Sequence, residues 1–227
     1  MLDNTTPKGR LIAAALKLAG ERPWKDATLI DIADEAGVTL AELRGAFDGK
    51  AAIVRGFVRA VDDELLRKAK RPQAGEGPRD ALFEVIMARL DLLGPYKPAI
   101  RSIFASTDPD FAMVRTALAS QHWMLQAAGI GTEGASGTVR TLGLTSLYAS
   151  VFRTCLDDED PGMARTMAAL DRRLRRGERN LKALNDVCGT VSGFAKQIGG
   201  LFGGARRGSD RKPDAATTDA GPARDGG

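Results

Sequence analysis

The chain has 227 residues, of which 43% are hydrophobic and 27% are charged, and its formal net charge is +4. This is enough to bury a sizeable core in a small unit plus one larger domain. No uncharged apolar run is long enough to span a bilayer, and the N-terminal residues lack the apolar core of a secretory signal, so we expect a cytoplasmic protein. The two cysteines, Cys155 and Cys188, lie far apart in apolar surroundings, which predicts packed, reduced thiols.

The distribution of charge says more about partners than its sum. Residues 1–50 contain seven basic and eight acidic side chains, a net charge of about −1. Phosphate neutralisation supplies most non-specific affinity for DNA. A DNA-binding unit in this region therefore has to depend on a few well-placed cations.

The first helices are predicted by apolar spacing and capping residues. A helix over residues 8–20 is followed by two short helices between Thr28 and Phe47. Thr28 is positioned to cap the first of these two helices, and Gly37 is positioned to end it. Thr39 is positioned to cap the second helix, with Glu42 in the capping-box position. The pattern is that of a helix-turn-helix.

The order A-G-V-T-x-x-x-L-x-x-x-F-x-x-K resembles the DNA-binding domain of TetR-type regulators. It is formed by Ala36, Gly37, Val38, Thr39, Leu43, Phe47 and Lys50. The resemblance implies that DNA is contacted by Thr28, Thr39, Leu40, Arg44 and Lys50. Three positions depart from the family pattern: Arg44 replaces a tyrosine, Ala46 replaces a histidine, and Glu42 stands where a small or hydroxylated residue is common. Glu42 is either a structural cap or a carboxylate that repels phosphate.

The rest of the sequence also has helical spacing, and no stretch alternates as a strand does, so the predicted fold class is all-α. Asp48 is predicted to cap a fourth helix, and the Pro- and Gly-rich residues 71–78 mark a boundary. Asp108–Pro109 and Asp160–Pro161 are predicted helix starts, with the proline in the first turn.

Four regions follow from these boundaries. They are a TetR-type helix-turn-helix domain at 1–66, a helical ligand-binding and dimerisation domain at 71–184, an amphipathic helix at 185–204 and a disordered tail at 205–227. The amphipathic helix is predicted either to pack on protein or to lie at a membrane surface. Its membrane-facing residues would be Val191, Phe194, Ile198, Leu201 and Phe202.

The C-terminal half has a second resemblance. ARLDLLGPY at residues 88–96, the apolar helix through Tyr148, the acidic residues 157–161 and the closing amphipathic helix are similar to the lipid-binding family of coenzyme Q biosynthesis proteins. That family shares the TetR-type fold but has lost DNA binding, which implies an isoprenoid ligand and membrane docking. A TetR-like second domain commonly has a ligand cavity, whose predicted lining is Phe83, Met87, Leu90, Trp123, Leu147 and Val151. Each of these residues is also at the spacing of ordinary core.

Nothing in the sequence points to catalysis. The single histidine, His122, has no nucleophile or carboxylate pattern near it, and metal-ligand or phosphate-loop spacings do not occur. We therefore expect no enzyme and no cofactor. The favoured prediction is a homodimeric regulator that binds DNA and responds to a hydrophobic ligand. The alternative is a lipid-binding protein of ubiquinone biosynthesis, docked to the inner face of the membrane.

Overall fold

The computed structural model describes residues 2–72, 75–106 and 111–179. The predicted helix start at Asp108–Pro109 lies outside these residues, as do Cys188, the predicted amphipathic helix at 185–204 with its five membrane-facing residues, and the predicted tail. Among the described helices, none is both long and apolar enough to cross a membrane.

Four helices make up the N-terminal part of the chain. They are α1 (Pro7–Glu21), α2 (Leu29–Ala36), α3 (Leu40–Ala46) and α4 (Lys50–Lys68), with a short 3-10 turn, Trp24–Asp26, between the first two. α1 is thus one residue longer at each end than the helix predicted over residues 8–20. α4 leads from the helix-turn-helix to the rest of the molecule.

The second part of the described chain is a set of longer helices. α5 (Pro78–Leu93) runs through a 3-10 turn into α6 (Lys97–Ser106), and α7 (Phe111–Ala127) and α8 (Gly134–Leu156) follow. Residues 164–179 are also helical. No strand occurs in the described ranges, and the all-α prediction is confirmed.

Two predicted helix starts are wrong in detail. Asp48 does not cap α4, because Gly49 is the N-cap residue and no side chain bonds to the first turn. Pro161 lies in a turn, and the helix begins at residue 164. The Asp160 carboxylate instead accepts hydrogen bonds from the backbone N–H groups of Gly162 and Ala164, each at 3.1 Å. The aspartate therefore stabilises the turn ahead of the helix, which moves the helix start by three residues.

Two apolar cores hold the helices together. The first surrounds α1, where Leu11 is fully buried, and it is completed by Ala99, Ile100 and Ile103 of α6. The second joins the end of α4 to α5, α7, α8 and the helix at 164–179, with Leu90 and Leu170 fully buried at its centre. α1 thus packs against α6 as well as against α2, α3 and α4.

A buried polar network connects α4 to three helices of the second core. Arg89 of α5 donates to Asp62 of α4 from Nε at 3.0 Å and from Nη2 at 2.8 Å, and its Nη1 donates to the Tyr148 hydroxyl of α8 at 2.5 Å. The Ser120 hydroxyl of α7 donates to the other Asp62 oxygen at 2.6 Å. Burial raises the pKa of Tyr148, so its hydroxyl stays protonated. Because each charge has partners, the network fixes α4 against the bundle without leaving a buried charge unpaired.

Candidate nucleic-acid interface

The first helix of the helix-turn-helix is fixed by a reciprocal cap. The Thr28 side-chain oxygen accepts from the Asp31 N–H at 3.1 Å, and Asp31 accepts from the Thr28 N–H at 2.8 Å. The helix ends at Gly37, whose φ of 62° is left-handed and favours glycine. This turn then orients the second helix.

The second helix, α3, has the predicted capping box. The Thr39 side-chain oxygen accepts from the Glu42 N–H at 3.2 Å, while Glu42 accepts from the Thr39 N–H at 2.7 Å and from the Thr39 hydroxyl at 2.8 Å. These hydrogen bonds lower the pKa of Glu42. The carboxylate is therefore ionised at neutral pH and is held at the helix start. Of the two alternatives stated for Glu42, a structural cap and a carboxylate that repels phosphate, this is the geometry of the cap.

The outer face of α3 is open to solvent. Leu40 is 50% exposed, and Ala41, Arg44 and Gly45 are exposed as well, whereas Leu43 is buried in the first core. In the described part of the chain, no hydrogen bond or ion pair engages the Arg44 guanidinium, so its five donors are available to a ligand. Two other cations of the domain are already paired within the protein: Lys17 with Glu35 at 2.7 Å and Arg22 with Asp31 at 2.9 Å.

Lys50, the first residue of α4, points inward more than the sequence suggests. Its ammonium donates to the backbone carbonyls of Trp24, at 2.5 Å, and Ala27, at 2.6 Å, and lies 4.4 Å from the centre of the Trp24 ring. Burial lowers the pKa of Lys50. Two of its three donors are thus committed within the protein, and a phosphate contact at this residue would use the third.

The structure brings four of the five predicted DNA-contacting residues to the helix-turn-helix itself, at the caps and on the outer face of α3. Sequence reasoning did not name Ala41 and Gly45, although they adjoin Leu40 and Arg44 on that face. Their signal in the sequence is only their helical spacing, because neither has a polar side chain. It also missed the packing of Lys50 on Trp24, since no local pattern connects residues 26 positions apart.

The six predicted ligand-lining residues differ in their surroundings. Leu90 and Val151 are fully buried in the second core, and Phe83, Met87 and Leu147 pack against that core while partly exposed. Trp123 is 50% exposed on α7, away from this cluster's interior. Five of the six residues thus belong to the second core or pack on it, and a single ligand pocket lined by all six stays a prediction.

Trp123 lines a groove between α4 and α7. The groove has a volume of about 380 Å³. On the α4 side it is lined by Arg59, Asp62, Asp63 and Leu66, and on the α7 side by Arg115, Thr116, Ala119 and Trp123. Asp62, one of these lining residues, also belongs to the buried network with Arg89. A molecule in this groove would therefore contact the helix that leads to the helix-turn-helix.

Chemical centres of other kinds are not evident in the described residues. They contain no group of three or more His, Cys, Asp or Glu side chains arranged to hold a metal ion. Cys155 is a buried free thiol whose pKa is raised by burial. Among the described residues, the candidate binding surface is therefore the exposed helix α3, which carries the unpaired guanidinium of Arg44.

Capped helices joined by a glycine turn, on a scaffold of packed helices, define a helix-turn-helix protein of the all-α class. Residues 11–56 match the family described as "Bacterial regulatory proteins, tetR family". No protein among those with curated descriptions matches the chain.

Solved structures extend the likeness beyond the N-terminal domain. A TetR transcriptional regulator from Nitrosomonas europaea is 23% identical with a TM-score of 0.60, covering 74% of this chain and 96% of its own. One from Rhodococcus sp. RHA1 is 24% identical with a TM-score of 0.51, covering 73% and 93%. A tetR-family regulator from Streptomyces coelicolor is 16% identical with a TM-score of 0.53, covering 85% and 91%. The chain thus has the TetR fold, and the predicted resemblance to TetR-type regulators is confirmed.

Proposed function

We propose that this protein is a cytoplasmic transcriptional regulator that binds duplex DNA as a homodimer through α3 and responds to a hydrophobic ligand. The observation that carries the proposal is the outer face of α3, where a capped recognition helix presents an unpaired Arg44 to solvent. The TetR fold supports it, because three regulators of that description share the architecture.

Arg44 is the main phosphate contact in this proposal. A guanidinium donates to two phosphate oxygens at once, so it substitutes for the hydroxyl of the usual tyrosine. Lys50 is the second contact, through the one ammonium donor that the Trp24 and Ala27 carbonyls leave over. With so few cations in the domain, we expect the salt dependence of binding to be shallow.

The dimer of this proposal forms on α8 and the following helix. Val139 and Leu142, one turn apart on α8, are 53% and 55% exposed, and Met167 in the helix at 164–179 is 38% exposed. Exposed apolar side chains one turn apart on α8 favour a symmetric contact between two copies. Two copies place two α3 helices in successive major grooves, one helical turn or a multiple of it apart.

The effector site of this proposal is the α4/α7 groove. Trp123 supplies an aromatic face and Leu66 and Ala119 supply apolar surface, while the charged side chains of the lining are two cations and two carboxylates, Arg59, Arg115, Asp62 and Asp63. This combination favours an aromatic ligand, because Trp123 offers a face to stack on and the lining has no excess of either charge. A ligand that separates α4 from α7 changes the position of α4, and with it the spacing of the two α3 helices.

The ligand site is tested with the aromatic anion 1-anilinonaphthalene-8-sulfonate as the probe. Trp123→Ala should weaken probe binding about tenfold, as the loss of one aromatic contact predicts. Phe111→Ala is the matched control, because Phe111 is an exposed aromatic residue of the same helix that does not line the groove. Equal probe affinity in the wild type and Trp123→Ala would remove the groove from the proposal.

The function itself is tested by selection from a random pool of duplex DNA with the purified full chain, with lipid analysis of the same preparation. A palindromic consensus is the expected result, and Arg44→Ala should recover no consensus or a much weaker one. A copurifying isoprenoid without any consensus would instead establish the lipid-binding alternative.

A further inference from the structure

The exposed face of α3 carries two aliphatic side chains, one glycine and two charged side chains. All seven residues of this helix are described, and the exposed ones are Leu40, Ala41, Glu42, Arg44 and Gly45. Leu40 is half exposed, and a Cβ added at Gly45 would meet no atom within 4 Å. Leu40, Ala41 and Gly45 therefore give this face an apolar part that is unobstructed at Gly45.

The two polar residues at the start of the helix are engaged with each other. The Thr39 side-chain oxygen accepts from the Glu42 N–H and donates to the Glu42 carboxylate, which also accepts from the Thr39 N–H. A free carboxylate at this place would accept a hydrogen bond from the amino group of cytosine. A free hydroxyl would donate to a base edge or accept from one. The capping box thus engages the Thr39 hydroxyl and the Oε2 atom of Glu42, and leaves only the second carboxylate oxygen for readout.

Residues at the N-terminus of a recognition helix contact base edges, and in this chain they are Leu40 and Ala41. The one apolar feature that a base presents in the major groove is the 5-methyl group of thymine. Building on the proposed function, we infer that this protein selects its DNA by packing Leu40 and Ala41 against thymine methyl groups in each half-site. The target is thus duplex DNA with thymines under the start of α3.

Arg44 does not supply the same selectivity. It lies one helical turn beyond Leu40, and the proposed function makes its guanidinium the main phosphate contact. A phosphate contact positions the helix on the duplex but carries no direct sequence information. The discrimination between bases is accordingly assigned to the two aliphatic side chains.

The test replaces thymine by deoxyuridine, one position at a time, in the duplex recovered by selection. Deoxyuridine keeps the hydrogen-bonding edge of thymine and lacks only the 5-methyl group. At the contacted position the dissociation constant should rise about fourfold in one half-site, the effect of exposing one buried methyl group, and about fifteenfold in both. Leu40→Ala should bind more weakly and lose most of this sensitivity.

Ile30→Ala is the matched control, because Ile30 is a 57% exposed aliphatic residue of α2 and is not on the recognition helix. It should keep the full sensitivity to deoxyuridine. A consensus whose affinity is unchanged by deoxyuridine at every position would overturn this inference while leaving the proposed function intact. Undiminished sensitivity in Leu40→Ala would overturn the assignment to this side chain. Failure to recover any consensus would count against the proposed function and the inference together.

Discussion

At the scale of single residues, two cations that look alike in the sequence have different surroundings. Arg44 projects from the outer face of α3 with its donors unused in the described residues, whereas the Lys50 ammonium is bonded to two carbonyls and stacked on Trp24. The sequence indicates the spacing of both residues from Thr39. It does not indicate that the turn at Trp24–Asp26 folds back over Lys50, because that contact depends on tertiary packing.

Replacement of these two residues should therefore have different effects. Arg44→Ala should leave thermal stability unchanged, weaken binding to all duplexes alike and flatten the salt slope by about one unit. Lys50→Met should lower the free energy of unfolding by about 1–3 kcal/mol, because two buried carbonyls lose a charged donor. Thermal unfolding and salt titrations of both variants check this. A Lys50→Met protein as stable as the wild type would contradict the structural role given to Lys50.

Glu42 offers a test by pH at the same scale. Its hydrogen bonds with Thr39 lower the pKa of the carboxyl, so the cap stabilises the fold fully above the ordinary carboxyl pKa of about 4.3. This contribution is lost as pH falls through the lowered pKa. Glu42→Ala should thus melt below the wild type at pH 7, with the difference shrinking in acid.

Glu42→Gln is the matched control for that variant, since a glutamine also completes a capping box. It should melt close to the wild type at pH 7 and bind DNA at least as tightly, because a negative charge near phosphate is removed. If Glu42→Ala melted at the same temperature as the wild type at pH 7, the cap would contribute nothing to thermal stability.

At the scale of helices, local signals predicted most of what the structure contains. The caps of the helix-turn-helix were predictable, because capping depends on residues a few positions apart: Thr28 begins α2, Gly37 ends it and Thr39 begins α3. The predicted starts at Asp48 and Asp160 were wrong, since an aspartate bonds as readily to a turn as to a helix. The groove beside Trp123 was not predictable as a groove, because it depends on how α4 and α7 pack.

The Arg89 network tests the link between α4 and the bundle. Arg89→Met leaves Asp62 buried without its cation and should cost about 3–5 kcal/mol of unfolding free energy, measured in urea. Adding Asp62→Leu should recover part of the loss, because no charge is then buried alone. Arg175→Met, which removes an exposed ion pair with Asp171, is the control and should cost less than about 1 kcal/mol. If Arg89→Met cost no more unfolding free energy than Arg175→Met, the network would not be important for stability.

At the scale of the whole molecule, the account depends on two copies acting together. Val139→Glu combined with Leu142→Glu should convert the dimer to a monomer in sedimentation experiments, because four charges would face each other across the symmetric contact. The same variant should lose affinity for a full palindrome far more than for a half-site. Phe111→Glu, at an exposed apolar residue of α7, should remain dimeric. A dimer that persists in the double variant would place the contact elsewhere.

The proposed function requires that α3 distinguishes one DNA sequence from another. Fluorescence anisotropy of the full chain on the selected duplex and on a shuffled duplex of the same composition, at one fixed salt concentration, measures this difference. The selected duplex should bind at least about 10³-fold more tightly, the lower range for specific DNA-binding proteins. Equal affinity for the two duplexes would contradict it.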